Sequence, residues 1–118
     1  MYRSVRGALI AACVLCLAAC EGFITGGDLI RPGEPTGTIR IVNNTSNNVD
    51  VVAISTCNAS TYGFNRLPDD AYIGPGQSYD FTVSAGCWDV DAGSIGHGEA
   101  RQRMDVAAGG LTRYTVTD

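Results

Sequence analysis

From residue 38 onward, apolar and polar residues alternate in short segments that are separated by turn-forming residues. In TIRIV, Ile39 and Ile41 fall on one face, and in SYDFTV, Tyr79 and Phe81 do the same. A period of two is typical of antiparallel strands that are buried on one face. No window of a dozen residues carries the 3.6-residue period of an amphipathic helix. The pattern therefore predicts an all-β domain.

Six such segments can be recognised, and the connections between them have the composition of turns. The segments are TIRIV, VDVVAIS, SYDFTV, CWDVDA, ARQRMDV and LTRYTVT, and the turns include GPGQ, SAG, GSIGHG and AAGG. Each strand offers one apolar face, and two such faces must meet to form a core. We therefore expect a small antiparallel β-sandwich of about six or seven strands, immunoglobulin-like or similar, with a small closed barrel as the alternative.

The beginning of the chain has the parts of a secretory signal peptide. A basic start, MYRSVR, precedes GALIAACVLCLAA, residues 7–19, which carries no charge. A membrane-spanning helix needs about 20 apolar residues, whereas this run is shorter and is followed by Glu21. Residues 1–19 are therefore predicted to be a processed signal. Cys13 and Cys16, which lie inside it, are interpreted as small apolar filler rather than as a redox pair.

The end of this run, LAAC, resembles the lipobox of bacterial lipoproteins. Leu17, Ala18, Ala19 and Cys20 match that pattern at every place. In that family the cysteine thiol receives diacylglycerol, cleavage falls just before the cysteine, and the new amine is usually acylated, as by palmitate. The resemblance implies that Cys20 is the lipidated first residue, and that Glu21, in place of a retaining Asp, directs the protein to the outer membrane. The alternative, an ordinary signal peptide cut within ALIAA, leaves Cys20 without a role.

Two further cysteines, Cys57 and Cys87, remain in the mature chain. Outside the cytoplasm an even pair in a small domain indicates a disulfide, and the alternative is two unrelated thiols. If Cys57 ends the second strand and Cys87 begins the strand that holds Trp88, the bond joins those two strands. We then expect the tryptophan to pack near the bond. The Cys…Trp…Cys spacing of immunoglobulin domains is absent.

The segment between the predicted signal and the predicted strands, EGFITGGDLIRPGEPTG, is rich in glycine and proline. Such a composition favours a flexible tether. The predicted organisation is a signal peptide at 1–19, the lipidated cysteine and tether at 20–37, and a β domain at 38–118. Four apolar residues of the tether either rest on the membrane or dock on the domain: Phe23, Ile24, Leu29 and Ile30.

The charge of the mature chain excludes some partners. Removal of residues 1–19 leaves six arginines, no lysine and all 12 acidic residues, a net charge of −6. An acidic protein repels phosphate groups. Nucleic acid and anionic lipid headgroups are therefore predicted to be poor partners.

No catalytic set, metal site or cofactor motif is visible in the sequence. No G-x-S-x-G, H-E-x-x-H or P-loop occurs. His97, between glycines in GSIGHG, is predicted to be exposed in a hairpin loop. Asp89 and Asp91 share the outward face of one strand, which we expect to be solvated, because the rest of a calcium loop is missing. The chain is therefore predicted not to be an enzyme and to need no cofactor.

The longest connection, NASTYGFNRLPDD at 58–70, is the predicted place for a partner-binding surface. Tyr62, Phe64 and Arg66 alternate in it, and tyrosine and arginine are typical anchors of binding surfaces. Binding residues also tend to lie on loops held by a rigid scaffold. The alternative is that Phe64 and Leu67 plug the end of the sandwich while Tyr62 covers its rim.

Two functions follow as hypotheses. The run LPDDAYIGPGQSYDFTVSAGCWDVDA resembles a pattern of uncharacterised secreted bacterial β domains, which implies a sandwich and carries no activity with it. The first hypothesis is a membrane-anchored, non-enzymatic lipoprotein of the bacterial cell envelope, which binds an envelope protein as an accessory or structural domain. The second is an inhibitor that protects the envelope from a hydrolase such as lysozyme.

Overall fold

The computed structural model describes residues 26–118, and it contains six strands. The predicted signal peptide and Cys20 lie outside the described residues. The strands are β1 (Thr36–Asn44), β2 (Val51–Thr56), β3 (Ser78–Ser84), β4 (Gly86–Ser94), β5 (Gly98–Val106) and β6 (Leu111–Thr117). Each of the six alternating segments forms one of these strands, so the prediction of an all-β domain is confirmed.

The strands form two three-stranded sheets, with the orders β3-β1-β6 and β2-β4-β5. Their inner faces meet in a single core, in which Ile39, Ile54, Trp88 and Val90 are completely buried. Across residues 26–118 the two sheets do not close into a barrel. The structure is therefore the predicted small sandwich rather than the alternative barrel.

One strand pair departs from the expected antiparallel arrangement. β1 pairs with β3 in antiparallel orientation, but it pairs with β6 in parallel, with Thr38 opposite Leu111 and Asn44 opposite Thr117. The reason is the turn at 107–110, which carries the chain from the end of β5 in one sheet to the start of β6 in the other. A strand that changes sheets need not run against its new neighbour, and local alternation carries no information about this choice.

The disulfide between Cys57 and Cys87 is present and joins neighbouring strands, as predicted. Thr56 lies opposite Trp88 in the β2–β4 register, which brings the two cysteine Cα atoms to 5.5 Å. The ring of Trp88 is fully buried and donates its Nε1–H to the carbonyl of Ser84 at 2.8 Å. The guanidinium carbon of Arg31 lies 5.3 Å from the centre of the same ring.

The expected flexible tether at 20–37 differs from the structure over its second half. The carbonyl of Gly26 accepts a hydrogen bond from the backbone of Thr56 at 3.1 Å, and that of Leu29 accepts one from Ser84 at 2.7 Å. Leu29 also packs against the core, whereas Ile30 is exposed. These contacts explain why the segment is ordered, since its backbone groups find partners on strands β2 and β3.

The strand directions define two ends of the sandwich, which we call the tether end and the far end. Gly26, the disulfide and the turn at 107–110 lie at the tether end. The loop at 45–48 and the β4–β5 hairpin tip at 95–97 lie at the far end. Between residues 26 and 118, no helix has the length and apolar character to cross a membrane.

Candidate functional site

The outer face of the sheet β2-β4-β5 carries a ladder of paired charges. Strand register places Asp89 opposite Arg103 and Asp91 opposite Arg101. The Nε of Arg103 donates to Asp89 Oδ1 at 2.9 Å, and the Nε of Arg101 donates to Asp91 Oδ2 at 3.2 Å. Opposite charges placed directly across two strands stabilise their pairing. The ladder therefore follows from the alternation of CWDVDA and ARQRMDV once their register is known.

Asp91 is not the solvated residue that its outward position predicted. Only 9% of its surface is exposed, and its Oδ1 has no hydrogen-bond donor within the described chain. Burial raises the pKa of the Asp91 carboxyl, Glu99 raises it further, and Arg101 acts in the opposite direction. A buried carboxylate oxygen without a donor is costly, which makes this residue a candidate for binding.

Glu99 and Arg101 complete a group of three charges around Asp91. Arg101 uses its Nη2 to donate to Glu99 Oε1 at 2.9 Å, while its Nε remains on Asp91. The ring of Tyr62 lies 4.7 Å from the guanidinium carbon of Arg101 and stacks on it. One guanidinium therefore orients both carboxylates and is itself held by an aromatic ring.

A cavity of about 350 Å³ opens beside these carboxylates toward the far end. Val51 from β2 and Ile95 from the hairpin tip form apolar parts of its lining, and Asp91 and Glu99 form the acidic parts. The hairpin is held in place because the backbone N–H of Ile95 donates to Asp50 Oδ1 at 3.0 Å. We call this cavity the carboxylate pocket.

The predicted binding loop reaches the outer face at Tyr62, which stacks on Arg101, and then lies along the edge of β2 that does not pair with β4. Asn65 ties it there, with Oδ1 accepting from the backbone of Val52 at 2.9 Å and Nδ2 donating to Asp50 at 3.1 Å. Leu67 is buried in the core, as the alternative interpretation expected, but Phe64 is 62% exposed and plugs nothing.

Arg66 has a structural position that the sequence did not predict. Its Nη2 donates to the carbonyls of Gly27 at 2.6 Å and Ile54 at 2.9 Å, and its Nε also donates to Ile54 at 3.2 Å. Burial lowers the pKa of this guanidinium. Arg66 thus joins the segment before β1 to the edge of β2, and its donors are engaged within the chain.

The structure therefore brings together a different set from the predicted one. Of the loop residues, Tyr62 reaches the charged group, and Phe64 is exposed one residue before Asn65. His97 is exposed in the hairpin tip, as predicted. Sequence reasoning missed Glu99 and Arg101, although pairing CWDVDAGS against GEARQRMDV in a hairpin register places them beside Asp91.

Among residues 26–118, no group of three or more histidine, cysteine and acidic side chains could hold a metal ion. No protein-family model matches the chain, and no curated protein matches it. The carboxylate pocket, with the exposed side chains near it, is the site on which a functional argument can be built.

Proposed function

We propose that the chain is a non-enzymatic lipoprotein of the bacterial cell envelope, whose sandwich binds an envelope protein. The motif LAAC supports an anchor on Cys20, and Glu21 supports the outer membrane as its location. Two acyl chains hold a protein stably on a bilayer, whereas a single chain binds marginally. The anchor thus leaves the described domain free to act as a binding module.

The observation that carries the binding role is the exposure of apolar side chains beside the carboxylate pocket. Ile95, which lines the pocket, is 76% exposed, and Phe64 is 62% exposed. Asn65, next to Phe64, lies opposite Ala53 on one edge of β2. Gly93, at the base of the hairpin that carries Ile95, lies opposite Val51 on the other edge. Phe64 and Ile95 therefore extend from segments on the two sides of the same short stretch of β2. Apolar side chains around convergent polar groups are typical of binding surfaces.

The position of this surface is compatible with attachment of the domain to a membrane through its tether end. Cys20 precedes Gly26 by six residues, so even a fully extended chain reaches at most about 20 Å from the lipid to the tether end. The hairpin tip lies at the opposite end of β2 and β4. The pocket and Ile95 would therefore face away from the membrane, where an envelope protein can reach them.

Replacement of both exposed side chains tests this surface. Phe64→Ala with Ile95→Ala should leave thermal unfolding within a few degrees of wild type, because exposed positions contribute little to stability. The same variant should lose most of the protein partner that wild type retains after crosslinking and purification from membranes. Leu111→Ala, at an exposed residue of the tether end, is the matched control and should keep the partner. Equal capture by all three proteins would contradict the proposed surface.

The hydrolase inhibitor is the second candidate, and the exposure of the β4–β5 hairpin tip favours it. The tip at 95–97 is exposed, so that Ile95 and its neighbours can enter the cleft of an enzyme. A lytic assay with lysozyme tests this directly. Inhibition by wild type that is lost in Ile95→Asp would support the inhibitor, and full lytic activity at excess wild type would exclude lysozyme as the target.

A further inference from the structure

The carboxylate pocket contains more negative than positive charge. Asp91 and Glu99 supply two carboxylates, and Arg101 is the guanidinium bound to both. Arg101 engages Asp91 Oδ2 and Glu99 Oε1, so Asp91 Oδ1 and Glu99 Oε2 are the oxygens that remain. Asp91, which lines this cavity, is 9% exposed, and its Oδ1 has no hydrogen-bond partner among the described residues. The site is thus built to accept a cationic hydrogen-bond donor.

The walls of the pocket restrict what can carry that donor. Val51 and Ile95 add apolar surface beside the carboxylates, and the cavity of about 350 Å³ opens to solvent. This combination suits a charged head on an apolar stem, because the stem can lie along the apolar wall while the head reaches the acids.

The chemistry of the acceptors favours an ammonium group. An ammonium is a compact charge with three donors, which can satisfy two carboxylate oxygens that are not coplanar. A divalent cation needs more oxygen ligands than two carboxylates supply, and no group of three or more ligating side chains occurs among residues 26–118. The chain itself contains no lysine, so a lysine ammonium must come from another molecule.

We propose that the carboxylate pocket binds a primary ammonium group between Asp91 and Glu99, with its apolar stem against Val51 and Ile95. The pocket stands on its own geometry, and only the source of the ammonium, a lysine of the captured envelope protein, rests on the proposed function. Because burial and Glu99 raise the pKa of Asp91, the ammonium competes with the proton that Asp91 holds at low pH. Binding should therefore weaken as the pH falls.

Titration calorimetry of the full chain in detergent with n-butylammonium chloride tests the pocket at constant ionic strength. We expect saturable binding at neutral pH and at least tenfold weaker binding of tetramethylammonium, which carries the charge without N–H donors. Asp91→Asn should weaken n-butylammonium binding at least tenfold. Asp89→Asn removes a carboxylate of the same face and is the matched control, with a change of less than twofold expected.

Glu99→Gln provides a second variant in case Asp91→Asn does not fold, and it too should weaken binding at least tenfold. Equal binding by wild type and the pocket variants, or equal binding of the two ammonium ions, would overturn the proposal. So would the absence of saturable binding to wild type.

One further ligand and one capture assay distinguish a lysine side chain from a small free amine as the source of the ammonium group. Nα-acetyl-lysine amide should bind like n-butylammonium if the pocket takes a lysine side chain, whereas binding of the free amine alone would assign it to small amines. Capture of the envelope protein should fall in Asp91→Asn if its lysine fills the pocket. Wild type that captures its partner but binds no amine would sink the ammonium site and leave the proposed function standing. Asp91→Asn that loses amine binding but keeps its partner would sink only the partner's lysine as the source of the ammonium.

Discussion

The guanidinium of Arg66 holds together two parts of the chain that are far apart in sequence. It donates to a carbonyl before β1 and to a carbonyl within β2. Hydrogen bonds from charged donors contribute about 1.5–3 kcal/mol, and loss of the side chain would also leave carbonyls without donors. An arginine in this position therefore acts on stability more than on recognition.

We expect Arg66→Ala to lower the free energy of unfolding by about 2–3 kcal/mol, because more than one backbone acceptor loses a charged donor. Urea unfolding followed by tryptophan fluorescence measures it. Arg113→Ala, at an exposed arginine on β6, should change stability by less than about 0.5 kcal/mol. A similar small effect at both positions would show that the contacts of Arg66 are not stabilising.

The raised pKa of Asp91 predicts a pH dependence with a definite sign. As the pH rises from acid, the unfolded chain releases this proton first, so wild type loses stability between the ordinary value near 3.8 and the raised folded value. Asn at this position cannot titrate. The free energy of unfolding of Asp91→Asn, measured relative to that of wild type by urea unfolding, should therefore increase as the pH rises from about 3.5 to 7. Glu99 and Arg101 are present in both proteins, so the comparison isolates the titration of Asp91.

Asp80 supplies the control of opposite sign. Its paired hydrogen bonds with Arg40, at 2.8 and 3.0 Å, lower the pKa of its carboxyl. This stabilisation is present above the unfolded value and is lost as the pH falls through the folded one. Asp80→Asn should therefore lose stability relative to wild type over the same rise in pH. The same sign of change for both variants would contradict the assigned environments.

At the level of single residues, the sequence predicted faces better than environments. Alternation placed Ile39 and Phe81 inside correctly, because burial of one strand face is a local consequence of a two-residue period. It also placed Asp91 outside, which is correct for the strand but wrong for its exposure. The group around Asp91 depends on Glu99 and Arg101 of the next strand. Alternation within one strand does not reveal these neighbours, which become visible only when the two strands are aligned as a hairpin.

Among the elements, β2 is protected from open-edge pairing by segments that the sequence did not assign to a sheet. The backbone of Arg66 donates to Val52 at 2.6 Å, and Thr56 donates to Gly26 at 3.1 Å. Gly26 has a positive φ of 84°, and a Cβ there would lie 2.6 Å from the Cβ of Ser55, so glycine alone fits. Covering an edge strand prevents its pairing with other chains.

All six strands were predictable because each is an alternating segment between turns, but most of their partners were not. The parallel pairing of β1 with β6 joins the first and the last strand of the domain, which are far apart in sequence. The covering of β2 by residues 65 and 66 is likewise a contact across a loop. Two neighbourhoods were accessible. β2 and β4 must lie close because a disulfide joins Cys57 to Cys87, and β4 and β5 are joined by the predicted hairpin turn GSIGHG.

The disulfide gives a prediction at the level of this strand pair. Cys57→Ala with Cys87→Ala should lower the free energy of unfolding by about 2–5 kcal/mol while far-ultraviolet circular dichroism keeps its strand signal, since the strands retain their registers. Wild type treated with reductant should match the variant. If the unreduced wild-type protein and the variant unfold at the same urea concentration, the bond does not stabilise the fold.

For the whole molecule, the small size of the domain and its disulfide are physically connected, and the disulfide in turn favours an oxidising compartment. A domain of this length buries only about 60% of the surface of its unfolded chain, so a disulfide is a useful addition to a small core. Disulfides persist in oxidising compartments such as the periplasm and the cell surface. The predicted N-terminal signal, the bonded cysteines and the proposed lipid anchor on Cys20 thus form one consistent account.

That account depends most directly on Cys20. Metabolic labelling with a palmitate analogue and fractionation of cells should place wild type in membranes with label attached. Cys20→Ser should lose both the label and the membrane fraction, because a hydroxyl does not replace the thiol. Cys16→Ser, within the predicted signal, should behave like wild type. A Cys20→Ser protein that is still labelled and still sediments with membranes would contradict the proposal that this sandwich is a lipid-anchored binding domain.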